Sequence, residues 1–244
     1  MANTPFTAQR RFAGIVFTLL ISVSALCVEA LGQAPLVTSS VANGLPTPPT
    51  YGTVWNSAIT SRGDFLIVDF QNAAVYQYPP SGGTVNTVFT SGSLFPGGGY
   101  ANNAVTVDPW NNLWTDNNWN GGLQRVPWDP ATGTWNTKAA TNPGSGLNIG
   151  GYYFQSAGLA INSSGTFALS TENGAPRPAL YSFTIDAAGN TSNLQTVIAS
   201  LTNRARAVSI DNAGNIYLWE DGGIPRVLVV PAGTTGLADD KKLA

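Results

Sequence analysis

Between Val54 and Val230 the chain alternates apolar and polar residues in short runs, each closed by residues suited to turns. Alternation with a period of two marks half-buried strands. The pattern comes back four times: at Ala58–Asp69, Val105–Asn117, Gly158–Leu169 and Ala207–Leu218. In each copy an apolar run ends in a polar residue, then a turn, then an aromatic and β-branched run. The turn residue recurs at Gly63, Asn111, Gly165 and Gly214, with spacings of 48, 54 and 49. Gly and Asn tolerate the positive φ that a tight hairpin needs.

A further strand follows 12 to 15 residues after each turn residue, at Val75–Tyr78, Leu123–Val126, Leu180–Phe183 and Val227–Val230. Pro79, Pro127 and Pro231 stand at or just past its end, where a missing backbone donor does least harm. Three copies show a fourth strand, within 84–90, 134–140 and 193–201; the last copy lacks one. Four antiparallel strands in a unit of about fifty residues make one blade of a β-propeller. A β-sandwich also has short strands and turns, but it need not repeat one turn signature at a near-constant period. The expected fold is therefore all-β: a propeller of about four blades, over residues 53–100, 101–150, 151–203 and 204–235.

The best copy, Asp211-Asn212-Ala213-Gly214-Asn215-Ile216-Tyr217, resembles the repeat of NHL-type propellers and of the related gluconolactonase-like family. The resemblance covers roughly Val54 to Val230. Propellers of that kind usually have about six blades, or about 300 residues at this period. Four copies fall short of that. Either Leu36–Val41 supplies a closing strand, or the chain is the front part of a longer protein, which is the expectation preferred here.

The N-terminus reads as an address. Arg10 and Arg11 precede an apolar run from Phe12 to Val28, followed by the small residues Ala30, Gly32 and Ala34. That order describes a secretory signal. Thr18, Ser22 and Ser24 interrupt the run, leaving it short of the ~20 apolar residues of a membrane span. Cleavage after Gly32 leaves a linker at 33–52, the repeats and a polar tail at 236–244. A secreted or periplasmic protein without a membrane span is expected. Cys27 is the only cysteine and leaves with the signal, so the mature protein holds together without disulfides.

Composition narrows the chemistry. Charged residues make up 10% of the chain, against roughly 25% in a typical soluble protein. There is no histidine, which excludes every mechanism that needs an imidazole base or ligand. Full-length net charge is −2; losing Arg10, Arg11 and Glu29 makes it −3. Scattered basic residues on a negative chain offer no stripe for phosphates, so no nucleic-acid partner is expected.

The resemblance implies that loops after the second strand of each blade emerge on one face near the central channel. There the sequence places Asp69, Asn117, Glu172 and Glu220, with Asp221 beside the last and Arg206 just before an inner strand. Oxygen ligands in a ring suit Ca²⁺. In gluconolactonase-like enzymes such a metal polarises a lactone carbonyl; by carry-over Glu172 or Asp221 would be the base. Polar residues at strand ends also cap turns by local hydrogen bonds. Trp110, Trp114, Trp119, Trp128 and Trp135 crowd into 26 residues. Of these, Trp119 is expected on an exposed loop, able to stack on a sugar ring or an apolar peptide group. Trp114 and Trp219 are expected in the core. The expected function is a non-catalytic, exported binding module for a protein or glycan ligand, with no cofactor. The alternative is a Ca²⁺-dependent, lactonase-like hydrolase.

Overall fold

Among the residues described by a computed structural model of the chain, sixteen strands, all in antiparallel sheets, account for nearly all the regular structure. The structure describes residues 54–69, 73–80, 85–90, 104–117, 122–141, 156–171, 178–221 and 225–243, all within one compact unit, Pro48–Ala244. Blade 1 is β1 (Val54–Ile59), β2 (Phe65–Asp69), β3 (Ala74–Tyr78) and β4 (Asn86–Thr90), paired in chain order. Blade 2 is β5 (Val105–Val107), β6 (Leu113–Asn117) and β7 (Gly122–Val126), with a small hairpin of β8 (Trp128–Asp129) and β9 (Thr134–Trp135). Blade 3 is β10 (Ser156–Ile161), β11 (Thr166–Thr171), β12 (Leu180–Ile185) and β13 (Thr191–Ile198). Blade 4 has three strands, β14 (Ala205–Ile210), β15 (Ile216–Glu220) and β16 (Arg226–Val230). The first strands of successive blades lie side by side, β1 by β5, β5 by β10 and β10 by β14, as in a propeller.

The first turn of every blade is built by one device. A polar side chain ends the first strand and accepts hydrogen bonds from amides two and four residues on. Asp108 Oδ1 takes those of Trp110 and Asn112 at 2.9 and 2.8 Å, and Asn162 Oδ1 those of Ser164 and Thr166 at 3.1 and 2.9 Å. Thr60 Oγ1 does the same for Arg62 and Asp64, and Asp211 Oδ1 binds the Asn215 amide. The residue three past this acceptor has positive φ: Gly63, Asn111, Gly165 and Gly214. Adjacent turns are clasped together. Ser61 lies 2.6 Å from Asn111 Oδ1, and Ser163 donates to Asn212 Oδ1 at 2.7 Å.

Alternation along the second strand divides its side chains between two neighbours. Leu66 and Val68 of β2 join Val105, Leu113 and Val126 between blades 1 and 2. Trp114 and Leu123 meet Leu159, Phe167, Leu169 and Phe183 between blades 2 and 3. There the Phe167 ring stacks on Phe183 at 4.6 Å and meets Trp114 edge-on at 5.4 Å. Ala168, Leu180 and Ile198 meet Ile216, Leu218 and Leu228 between blades 3 and 4. At this junction Gly158 is a close approach: a Cβ there would lie 2.8 Å from both Val208 Cγ2 and Val208 N.

Two expectations need correction. The fourth strand of blade 2 is not a ladder over 134–140. The chain folds into the β8–β9 hairpin, with Trp135 Nε1 bonded to Asn111 O at 2.8 Å, and only Thr141 bridges to Arg125 of β7. Trp219 is not core but 44% exposed. It lies five residues past its turn, on the alternation that faces the following blade, and no described blade follows.

Candidate functional site

Second strands end on polar residues at a shared register. Val54 pairs with Asp69, Ser156 with Thr171 and Ala205 with Glu220, and in each pair the first strand bulges at the next residue. Asp69, Thr171 and Glu220 are all buried. The third-blade equivalent of Asp69 and Glu220 is thus Thr171, whose Oγ1 accepts the Ala179 amide at 3.0 Å. Glu172 and Trp119 lie outside the described residues. Asn117 ends β6, paired with Gly122. Beside it Asp116 is fully buried, and its Oδ1 accepts the Ala104 amide at 2.9 Å.

At blade 4 the carboxylates are tied to arginines. Arg226, at the start of β16, shares its guanidinium between two acids: Nε lies 2.8 Å from Glu220 Oε2 and Nη2 lies 2.6 Å from Asp240 Oδ2. Both carboxylates are fully buried. Asp240 also accepts the Thr202 hydroxyl at 2.6 Å and the Thr202 amide at 3.0 Å. Burial pushes the Asp240 carboxyl up, but the Thr202 hydrogen bonds, together with weaker ones from Glu220 and the backbone, outweigh it and hold the group below the usual carboxylate range. The Glu220 bond raises the Arg226 guanidinium above its ordinary value, favouring the charged form. Glu220 Oε1 accepts no hydrogen bond. Next to this cluster, Arg206 Nε pairs with Asp221 Oδ2 at 2.5 Å, each side chain a quarter exposed.

The segment carrying Asp240 is strapped to blade 3. Leu237 bridges Ile198 in parallel, with the Leu237 amide on Val197 O at 3.0 Å and the Ala199 amide on Leu237 O at 2.8 Å. Sequence reasoning passed over Asp240 and Arg226. A run of Asp239-Asp240-Lys241-Lys242 looks solvated, and only the isolation of Arg226 before four apolar residues hinted at a buried role.

Of the four residues expected to form an oxygen ring, the structure describes the side chains of Asp69 and Glu220. Among the described residues no three acidic or cysteine side chains converge on a point able to hold a metal ion. No described helix is long and apolar enough to cross a membrane.

No family model and no curated protein matches the sequence. Solved structures do. A protein described as a gluconolactonase superposes with a TM-score of 0.52 at 17% identity, covering 74% of this chain and 61% of its own. Virginiamycin B lyase from Staphylococcus aureus, with quinupristin, gives 0.52 at 15%, covering 78% and 55%. A structure of the nidogen/laminin complex gives 0.50 at 12%, covering 75% and 65%. The chain thus spans roughly half to two thirds of the length of these structures. At such identities the likeness concerns architecture: the chain has a blade-built all-β fold of the β-propeller type, akin to gluconolactonase-like propellers.

Proposed function

We propose that the chain is an exported β-propeller acting as a binding module for a protein or glycan, not as an enzyme. One observation carries this reading: the carboxylates at the end of blade 4 are already committed to arginines. Glu220 and Asp240 share Arg226, and Asp221 holds Arg206. These groups fasten β14, β15, β16 and the C-terminal segment to one another, so their part is structural. The donor set suits Ca²⁺ poorly, because a guanidinium already sits between the two buried acids and holds one oxygen of each. Propeller neighbours include a member of a protein–protein complex, nidogen with laminin, which accords with recognition by this fold.

Glu220 keeps the hydrolase alternative in play, since one oxygen of a fully buried carboxylate lacks a hydrogen bond. Calorimetry in millimolar Ca²⁺ with a parallel lactone-hydrolysis assay separates the two. Ligand that binds only the native state raises the melting temperature. The binding-module reading expects an unchanged Tm, no lactone turnover, and saturable retention on a polysaccharide or an immobilised extracellular protein. A Ca²⁺-dependent rise in Tm with lactone turnover, both lost in Glu220→Gln, refutes it.

A further inference from the structure

The outward face of blade 4 is open and apolar. Tyr217 is 37% exposed, Trp219 44%, Val227 61% and Val229 47%. They belong together: Tyr217 pairs with Val229 and Trp219 with Val227 across the β15–β16 ladder. Positions three past the turn face the next blade. In blades 1 to 3 these are Leu66, Trp114 and Ala168, each fully buried by the blade that follows. In blade 4 the position is Tyr217. We propose that this face is the docking surface for a further blade of the same repeat, carried by the same polypeptide.

Three observations select that occupant. The first is the repeat rule: each earlier face of this kind is covered by apolar side chains two and four past the next turn, such as Phe167 and Leu169 over Trp114. The second is size. Three strands about 4.8 Å apart and five residues long at ~3.4 Å each span only about 240 Å². A stable association of separate chains buries about 800 Å² per partner. A tethered blade escapes most of the entropy cost of joining free molecules, so a face this small serves it well. The third concerns the other end of the row. In blade 1, Ile67, Ala74 and Tyr78 are buried and Phe65 and Tyr76 half-buried, so that end is far less open than the face of blade 4 and matches it poorly for head-to-tail pairing of copies. The solved propellers it resembles are also longer than this chain.

The test compares the 244-residue chain with the protein isolated from its source, using intact mass, sedimentation and hydroxyl-radical footprinting read at Trp219 and Tyr217. The 244-residue chain should sediment as a monomer with both residues reactive. With residues 1–32 removed on export, the isolated protein should still exceed the mass of residues 33–244 by at least one blade, with modification of both residues slowed several-fold. An isolated protein no heavier than residues 33–244 overturns the proposal, as does one that is heavier but equally reactive. Concentration-dependent dimers of the 244-residue chain that protect Trp219 also overturn it, naming a second copy as occupant.

Discussion

Arg226 offers the sharpest perturbation, because one guanidinium is the cation shared by two acids that have no access to water. Replacing it with methionine keeps most of the side-chain volume and leaves Glu220 and Asp240 buried without a cation. The Arg226 side chain is itself 30% exposed, while both acids are at 0%, so the loss falls on the acids. Breaking a buried pair by deleting one partner costs about 3–5 kcal/mol. In a domain of this size each kcal/mol moves Tm by about 2–4 °C, so Arg226→Met should melt roughly 6–20 °C lower by circular dichroism at pH 7. Two controls isolate the cause. Adding Glu220→Gln to Arg226→Met should recover part of the loss, since one of the two uncompensated charges is gone. The deficit should also shrink toward acid pH, as the acids protonate in the variant. A double variant whose losses simply add, with a pH-independent deficit, would show that Arg226 acts by packing alone.

Two further outcomes follow from local geometry. The Asp240 carboxyl sits below the ordinary value near 3.9, so its stabilising effect is complete above that pH and is lost as pH falls through the lower folded-state value. Carboxyl-detected NMR should therefore place the Asp240 midpoint below 3.9, with the Gly236 and Leu237 amides shifting in step; a midpoint at or above the ordinary value contradicts this. Gly165 and Gly133 both have positive φ, but a Cβ at Gly165 would lie 2.7 Å from Ile185 O, whereas one at Gly133 meets nothing within 4 Å. Urea titration should show Gly133→Ala losing about 1–2 kcal/mol from backbone strain and Gly165→Ala losing clearly more; equal losses would refute the steric part.

The fold was readable because its information is local. Asp108, Asn162 and Asp211 mark their turns by bonding amides within four residues, and Asn111, Gly165 and Gly214 supply the positive φ that those turns need. The period-two alternation of β2, β11 and β15 then assigns side chains to one interblade layer or the other. Blade 2 escaped this logic at 134–140 because its outer segment is governed by a distant partner, the Asn111 carbonyl that receives the Trp135 indole proton. Trp219 escaped it for another reason. An apolar residue at a forward-facing position is core only if a blade covers it, and a repeat cannot announce from within where its own cover stops.

The candidate site was less legible because a carboxylate's role is decided by what lies across the blade. Asp69, Thr171 and Glu220 share one register position, yet their chemistry differs: Thr171 bonds its own blade at Ala179, while Glu220 reaches Arg226 on the next strand. Such scarcity of charge sharpens the consequence. In a chain with only 10% charged residues, a buried acid stays ionised only where a cation is placed beside it, since an unpaired buried charge is neutralised instead. Arginine position is therefore the better guide to function here than acid position. Arg226 and Arg206 identify Glu220, Asp240 and Asp221 as fastenings of the last blade; under the proposed binding role, recognition falls to surfaces those fastenings hold in place.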